Sequence, residues 1–325
     1  MSGDLQVHRF ESRIRFTTDS NLPFWSGNAL RSGFGARLRE LVCVNRAFSV
    51  GASEGCTSCP HKELCVYDRF YNARPPEDAE VLRKQSDISR PFSFDPPAFG
   101  KYSVGEGAVL SFTLFGNVVE YLPYFILALR NLGESGLGKG YREGYGKYSL
   151  EFIDSLGFEQ RSNVFSGDMV FNNAIPVSYG DLLRRSECFR GKISINFITP
   201  TQIKENDRFT ANPSFRGLIS RLLFRANSLA EFHGTGMLYD QDEVLEILGQ
   251  CRQMETLDSK VRMIHQQRYF QSQGKKARLP PFFVGDLKYS GEISQDVMAL
   301  LELGQMIHVG KMATFGNGRY DLKLG

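Results

Sequence analysis

The alternation of apolar and polar positions predicts strands and helices in an order that occurs twice along the chain. Residues 5–18 and 108–116 alternate as half-buried strands do, and residues 28–41 and 121–132 carry apolar side chains at helical spacing. The second half is predicted to have a strand at 192–197 and helices at 213–232, 242–251 and 297–303. One order of elements repeated about half a chain apart indicates a duplicated domain.

Each half ends in a glycine-rich segment. Residues 136–148 read Gly-Leu-Gly-Lys-Gly-Tyr-Arg-Glu-Gly-Tyr-Gly-Lys-Tyr, and residues 308–320 read His-Val-Gly-Lys-Met-Ala-Thr-Phe-Gly-Asn-Gly-Arg-Tyr. Their identical positions are Gly138 with Gly310, Lys139 with Lys311, Gly144 with Gly316, Gly146 with Gly318 and Tyr148 with Tyr320. Glycine takes positive φ without penalty, and glycine-rich turns leave backbone amides open to a phosphate. We therefore predict two related hairpins that can contact an anion.

The duplicated pattern predicts an α+β protein of two tandem ferredoxin-like (RRM-like) domains, each ending in a Gly-rich hairpin. The N-terminal domain is assigned to residues 1–155, with a small Cys-rich insertion at about residues 43–75. The C-terminal domain is assigned to residues 156–325, with turn-rich residues 157–167 at the boundary. Residues 72–101 are rich in proline and charge and are interpreted as a connecting segment.

Composition sets only broad limits on function. Hydrophobic residues make up 42% and charged residues 23% of the chain, as in a soluble globular protein. The net charge of +3 and the pI near 8.5 permit a nucleic-acid partner without requiring one. The N-terminus is polar, and the longest apolar run is far shorter than the ~20 residues of a membrane-spanning helix. We therefore expect a cytoplasmic protein with no membrane partner.

Four of the six cysteines are clustered, as Cys43, Cys56, Cys59 and Cys65. A cytosolic chain with such a cluster binds metal more often than it forms disulfides. The spacing predicts a structural zinc held by four thiolates, with an iron–sulfur cluster and a metal-free segment as the alternatives. Four thiolates leave no open coordination position, so neither metal would take part in catalysis.

A basic run without acidic residues lies between residues 259 and 281. It contains six Lys or Arg residues, with Tyr269 and Phe270 among them. Interleaved aromatic and basic side chains favour RNA contact through base stacking and phosphate pairing, and an ordinary solvated surface is the alternative. The residues of this run assigned to RNA are Arg268, Lys275, Lys276 and Arg278.

Short motifs spread over nearly the whole chain carry a family resemblance. They are Leu22-Pro23-Phe24, Gly27 to Gly35, Cys56-Thr57-Ser58-Cys59, Tyr121 to Phe125, Phe197 to Thr201, His308 to Lys311 and Gly316 to Tyr320. With the two Gly-rich hairpins, they resemble the RAMP superfamily of CRISPR-associated proteins, and within it the endoribonuclease that cuts precursor CRISPR RNA at its repeats. The resemblance implies a nuclease that needs no metal for catalysis, in which the ribose 2′-OH attacks the adjacent phosphate and leaves a cyclic phosphate and a 5′-OH. It also implies CRISPR repeat RNA and the mature crRNA as partners, in antiviral defence.

Many members of this family carry a general-base histidine on or just after the first helix, whereas residues 28–41 contain none. We therefore predict His308 as the proton-transfer group and Lys311 as the stabilising charge, with His233 as the competing catalytic residue. The other residues assigned to RNA lie in the two Gly-rich loops and are Gly310, Thr314, Gly316, Gly318, Arg319, Lys139 and Arg142.

Two further functions remain open from the sequence. The first is a non-catalytic RNA-binding RAMP subunit that holds the guide inside a CRISPR effector complex, with other effector subunits as partners. The second is a general zinc-containing RNA-binding protein. Cleavage of the cognate repeat RNA in EDTA separates the endoribonuclease from both.

Overall fold

The structure, a computed structural model, describes residues 3–44, 56, 58–75, 88–265, 267–270 and 275–325, with the backbone alone for 267–270 and 275–278. These residues form two compact units. The N-terminal unit comprises Leu5–Val177 and Phe232–Gly234. The C-terminal unit comprises the short segment that ends at Asp4, Ser178–Glu231 and Thr235–Gly325.

The N-terminal unit is built on one antiparallel sheet. Its helices are α1 (Gly27–Val42), α2 (Val66–Tyr71) and α3 (Leu122–Ser135). Its strands are β1 (Gln6–Phe16), β2 (Ser20–Leu22), β3 (Phe92–Asp95), β4 (Gly100–Tyr102), β5 (Gly107–Phe115), β6 (Tyr148–Leu156), β7 (Arg161–Ser166), β8 (Met169–Val170) and β9 (Val177–Ser178). The sheet order is β3-β5-β1-β6-β7-β8, with β9 beside β1, while β2 and β4 form a separate two-stranded ladder.

Aromatic packing holds α1 and α3 against this sheet. The alternation of β1 sends Phe10 and Ile14 into the core, and both are buried. The ring of Phe125 on α3 lies 4.2 Å from that of Phe34 on α1 and 4.5 Å from that of Phe112 on β5, measured between centroids. Because one ring contacts both a helix and the sheet, α1, α3 and β5 share one apolar core.

The C-terminal unit is built on a second antiparallel sheet, of order β13-β16-β10-β17. Its helices are α4 (Tyr179–Arg185), α5 (Phe215–His233), α6 (Gln241–Gln250) and α7 (Gln295–Ile307), except that the last two residues of α5 belong to the N-terminal unit. Its strands are β10 (Phe189–Thr201), β11 (Ile203–Glu205), β12 (Arg208–Thr210), β13 (Glu255–Ile264), β14 (Gln267–Phe270), β15 (Lys275–Arg278), β16 (Phe282–Ile293) and β17 (Tyr320–Leu324). The strands β11 with β12, and β14 with β15, form two small hairpins outside the main sheet.

The two units share one topology, so the predicted pair of ferredoxin-like domains is confirmed. In the first sheet β3-β5-β1-β6, and in the second β13-β16-β10-β17, the four core strands stand in the spatial order two-three-one-four of their sequence. In both, one helix follows the first core strand and another precedes the last. This is the β-α-β-β-α-β plan.

Two details of the sequence interpretation differ from the structure. The stretch 72–101, interpreted as a connection, contains β3, whose Phe92 and Phe94 are fully buried. The turn-rich stretch 157–167 contains β7, which pairs with β6 and extends the first sheet. The N-terminal unit therefore continues to Val177, where the sequence assignment ended it at residue 155. Within the described ranges, no helix has the length and apolar character needed to cross a membrane.

A buried histidine makes the stability of the N-terminal unit depend on pH. His8 lies on β1 opposite Leu114 and is 4% exposed. Burial lowers its pKa from 6.5 to about 4, because the charged imidazole loses its hydration. The folded state thus binds the proton more weakly than the unfolded chain, and stability is lost as pH falls from about 6.5 through about 4.

We expect His8→Leu to remove this loss. The two pKa values correspond to a difference of about 2 kcal/mol at pH 5, relative to neutral pH. Urea titrations of the unaltered and His8→Leu chains at both pH values would measure it. An equal fall in the free energy of unfolding of both chains would show that other groups cause the acid sensitivity.

Candidate functional site

The two Gly-rich loops have the same backbone conformation. Positive φ occurs at five positions of the first loop, which are Gly136, Gly138, Gly140, Gly144 and Gly146. It occurs at the five matching positions of the second loop, which are His308, Gly310, Met312, Gly316 and Gly318. The second loop thus keeps the backbone of the first even where histidine and methionine replace glycine.

Three backbone hydrogen bonds of the two loops also match. In the first loop Leu137 N donates to Gly146 O (2.8 Å), Lys139 N to Asn21 O (3.0 Å) and Gly146 N to Asp19 O (2.8 Å). In the second loop Val309 N donates to Gly318 O (3.0 Å), Lys311 N to Gln202 O (3.1 Å) and Gly318 N to Pro200 O (3.2 Å). These amides bind carbonyl groups of the protein. The expectation that the glycines leave such amides uncovered for a phosphate is therefore corrected at these positions.

The tyrosine at the end of each loop fixes the last strand to the preceding helix. Tyr148 Oη donates to Leu129 O at 2.9 Å, and Tyr320 Oη donates to Leu301 O at 2.6 Å. Both rings are buried, and burial raises both phenol pKa values far above the ordinary range. The two loops are therefore held at both ends by the same interactions.

The second loop presents few of its residues to solvent. Thr314, Gly316 and Gly318 are buried, and the Thr199 hydroxyl donates to Gly316 O at 2.7 Å. Gly310 and Arg319 are half-buried, whereas Lys311 is exposed. RNA contact by the three buried residues stays a prediction that their burial does not favour. Lys311 is the residue of this loop best placed to meet a phosphate.

His308 follows α7 directly and occupies the position of Gly136 in the first loop. Its φ is 63°, its N–H donates to Gly304 O at 2.9 Å, and the residue is 1% exposed. Histidine at positive φ is strained relative to glycine. The predicted catalytic pair therefore consists of a buried imidazole at His308 and an exposed ammonium group at Lys311.

His233 belongs to the N-terminal unit, whereas His308 and Lys311 belong to the C-terminal unit. It ends α5, is 8% exposed, and its Nε2 lies 2.8 Å from Ser89 O. A carbonyl oxygen only accepts, so Nε2 carries the proton in this contact and His233 supports the local fold. Its catalytic assignment stays a prediction.

The remaining RNA assignments fall on exposed or undescribed side chains. In the first loop Lys139 and Arg142 are exposed, and the Arg142 guanidinium lies 5.7 Å from the centre of the Tyr141 ring. The predicted residues of the basic run, Arg268, Lys275, Lys276 and Arg278, lie on the paired strands β14 and β15. Their side chains lie outside the described part of the chain, so their RNA contacts stay predictions.

Two family models match different parts of the chain. Residues 195–320 match the family model of the CRISPR-associated endoribonuclease Cas6, and this region includes Lys311 and the whole second loop. Residues 5–175 match AF_1859_N, a model of an N-terminal domain. By its N-terminal half the chain belongs to the AF_1859_N family, and its C-terminal part is similar to Cas6.

Individual relatives agree in length and in fold. An uncharacterized protein of Archaeoglobus fulgidus is 29% identical over 329 residues, which cover 99% of this chain and 100% of the relative. The structure of Thermus thermophilus Cas6 is similar with a TM-score of 0.53 at 15% identity, covering 99% of this chain and 100% of that one. A Cas6 product complex has a TM-score of 0.55 at 15% identity, covering 98% of this chain and 100% of that one. At this identity the likeness of the structures shows the shared fold.

The described residues of the cysteine cluster do not show a metal site. Cys43, Cys56, Cys59 and Cys65 are described, but residues 45–55 and 57 of the predicted insertion lie outside the described ranges. Burial raises the pKa of the Cys56 thiol, and nearby Cys65 and Cys43 add to that effect. Among the described residues no group of three or more His, Cys, Asp or Glu is arranged to hold a metal ion.

Zinc and the iron–sulfur cluster therefore stay predictions from the cysteine spacing, without support from the geometry. Metal analysis of the purified protein tests both. About one zinc per chain would support the spacing argument, and a brown protein would favour the cluster. If the purified protein contains neither metal, the third alternative, a metal-free segment, is supported.

Sequence reasoning missed one group of polar and aromatic residues in the N-terminal unit. Asn21, Lys101, Tyr102 and Tyr145 line a single cleft together with Lys139. They are far apart in sequence and form no motif, because the β2–β4 ladder and the first Gly-rich loop bring them together. The available signal was the aromatic content of the first loop, which has two tyrosines that the second loop lacks.

Proposed function

We propose that this chain binds CRISPR repeat RNA and cleaves it by attack of a ribose 2′-OH on the adjacent phosphate, without a catalytic metal. The match of residues 195–320 to the Cas6 endoribonuclease model carries the proposal, because this region includes Lys311 and the second loop. A Cas6 product complex among the similar structures supports RNA as the substrate. The mature crRNA is then the product.

Lys311 supplies the positive charge in this mechanism. Its backbone N–H is held by Gln202 O at 3.1 Å, so the start of the side chain is fixed while its ammonium group stays exposed. During attack by the 2′-OH, negative charge develops on the phosphorane oxygens. A preorganised cation beside those oxygens stabilises the transition state more than the ground state.

His308 is the proposed proton-transfer group, because it precedes Lys311 by three residues. An imidazole can take the 2′-OH proton or protonate the leaving 5′-oxygen near neutral pH. Since His308 is 1% exposed, this role requires the loop to change conformation when RNA binds. The alternative is that His308 only stabilises the loop.

Replacing His308 by glycine and by alanine distinguishes a proton-transfer role from a structural role. The first loop has Gly136 at this position, with a φ of 91°, so we expect His308→Gly to be more stable than His308→Ala by about 1 kcal/mol. If His308 transfers a proton, both variants cleave about 10²-fold more slowly or worse, with little change in RNA affinity. If its role is structural, His308→Gly cleaves like the unaltered chain. Single-turnover cleavage and urea titration measure the two effects.

Cleavage of the repeat RNA in EDTA tests the reaction itself. The expected products carry a cyclic phosphate and a 5′-OH, and a 2′-deoxy nucleotide at the scissile position should give no product. The alternative, a non-catalytic RNA-binding subunit of a CRISPR effector complex, predicts binding without cleavage of either RNA. Cleavage of the 2′-deoxy RNA, or activity only with added metal, would overturn the proposed mechanism.

A further inference from the structure

A cleft opens beside the first Gly-rich loop of the N-terminal unit. Its volume is about 270 Å³, and it lies along the β2–β4 ladder, in which Asn21 faces Lys101 and Ser20 faces Tyr102. Lys139 and Tyr145 of the loop complete its lining. The cleft is called the β2–β4 cleft below.

The charges of the β2–β4 cleft suit an anion. Lys101 and Lys139 are exposed, and the backbone of Lys139 is fixed by its bond to Asn21 O. One carboxylate, that of Asp19, also lines the cleft, and its Oδ1 accepts a hydrogen bond from Val104 N at 3.2 Å. The cleft is therefore lined by two lysines and one carboxylate, and that carboxylate already accepts a hydrogen bond from a backbone amide.

One aromatic ring of the cleft is free to stack on a ligand. Tyr145 is 52% exposed, and it also lies close to Gly140, where an added Cβ would come within 3.0 Å of Tyr145 Cδ2. Tyr102 differs, because its ring packs on Phe16 at 4.7 Å and its hydroxyl donates to Ala98 O at 2.8 Å. Tyr102 thus forms a wall of the cleft, and Tyr145 forms a platform.

A second aromatic platform lies at the end of the same ladder. Phe24 follows β2 and Phe99 precedes β4, and their rings lie 5.3 Å apart between centroids. Phe24 is 48% exposed and Phe99 is 62% exposed, in contrast to the buried Phe34, Phe112 and Phe125 of the core. Exposed ring pairs beside lysines are the features with which proteins bind single-stranded nucleic acid.

The second loop shows that the loop backbone does not require an exposed side chain at the position of Tyr145. The position of Tyr145 is taken there by Asn317, which is fully buried. The position of Asn21 is taken by Gln202, which is 5% exposed and whose Nε2 donates to Pro280 O at 2.9 Å. Since the second copy keeps the same backbone but buries both of these side chains, the exposed tyrosine is particular to the first copy.

We propose that the β2–β4 cleft is a binding subsite for an unpaired segment of the RNA substrate. One base stacks on Tyr145 and another on the Phe24–Phe99 pair, while Lys101 and Lys139 pair with the phosphates between them. Asn21 offers an amide to a base edge. The proposal rests on the proposed function, because it assigns this site to the same RNA.

Affinity for a short single-stranded RNA tests the subsite. A fluorescent oligouridylate of about six nucleotides falls within the range that small single-strand modules bind. We expect Tyr145→Ala to weaken its binding to the full-length chain about 5- to 100-fold, the size of a lost base stack, and Tyr145→Phe to bind like the unaltered chain. Tyr141→Ala is the matched control, because Tyr141 is an equally exposed ring of the same loop (46%) outside the cleft.

The lysines are tested by salt dependence. Each phosphate contact on a single strand contributes a slope of about −0.7 to the logarithm of affinity against the logarithm of salt concentration. The double variant Lys101→Ala, Lys139→Ala should flatten that slope by about 1.4, whereas Lys62→Ala, an exposed lysine paired with Glu63, should leave it unchanged. Unaltered affinity and slope in the cleft variants, with melting temperatures like the unaltered chain, would overturn the subsite.

Assays with repeat RNA distinguish failure of the subsite from failure of the proposed nuclease function. If the unaltered chain cleaves the repeat but the cleft variants bind oligouridylate normally, the subsite fails and the nuclease stands. If the unaltered chain does not cleave, but the cleft variants lose RNA affinity, the subsite stands and the nuclease fails. Equal loss of affinity for oligouridylate and for a free nucleotide would show a nucleotide pocket, which also overturns the subsite.

Discussion

Lys311→Ala is expected to cleave the repeat RNA about 10²- to 10³-fold more slowly than the unaltered chain, the usual cost of removing one preorganised transition-state contact. Lys311 is the exposed cation of a loop whose other predicted RNA contacts are buried or half-buried. RNA affinity should fall as well, since the same ammonium group meets the phosphate before reaction. Single-turnover cleavage at saturating RNA measures the rate apart from the affinity.

Two further variants show whether the effect belongs to the charge at this position. Lys311→Arg keeps the cation and should recover part of the rate. Lys323→Ala removes an exposed lysine from β17 of the same unit and should cleave like the unaltered chain. Removing a group that supplies only charge lowers the cleavage rate by the same factor at every pH. The shape of the pH–rate profile should therefore not change. A normal rate in Lys311→Ala would remove this residue from the mechanism.

The fold was predictable because the same sequence pattern occurs in both halves of the chain. Each half carries its own periodic helix and its own Gly-rich segment, so each supports the assignment of the other. β3 was missed because Pro91, Pro96 and Pro97 flank a strand of only four residues. Proline commonly marks a loop, and here it bounds an edge strand whose N–H groups are not all needed by the sheet.

The site was less predictable, because its properties depend on contacts between distant segments. Glycine spacing correctly indicates positive φ, but it does not show which carbonyl groups lie opposite the loop. Pro200 and Gln202, more than one hundred residues before the second loop, accept its amides. Likewise, nothing near His308 in sequence indicates that its side chain is buried, whereas Lys311 three residues later is exposed.

The duplication also explains how the two loops can differ in function. Both keep the backbone, the carbonyl partners and the terminal tyrosine, so the loop is stable without any particular side chain at its tip. The first copy exposes Tyr145 there, and the second buries Asn317 at the matching position. The first loop thereby has the exposed ring that the proposed subsite needs, and the second loop keeps one exposed lysine, the residue proposed to stabilise the transition state.

Gly146→Ala is expected to destabilise the N-terminal unit by about 2–5 kcal/mol. Its φ of 72° strains any residue with a Cβ by about 1–2 kcal/mol, and the added Cβ would lie 2.0 Å from Leu137 O. That carbonyl belongs to the loop backbone and cannot turn away as a flexible side chain would. Relieving the contact requires the loop to shift, at a cost like that of overpacking, about 1–3 kcal/mol.

Gly144→Ala is the matched control, two residues earlier in the same loop. Its φ of 91° carries the same backbone strain, but an added Cβ would have nothing within 4 Å, so we expect a loss of only about 1 kcal/mol. Gly318→Ala repeats the Gly146 test in the second copy, where the Cβ would lie 1.8 Å from Val309 O. Urea titration gives the free energies of unfolding. Equal values for Gly144→Ala and Gly146→Ala would mean that the close approach to Leu137 O does not require glycine, and that φ alone sets the requirement.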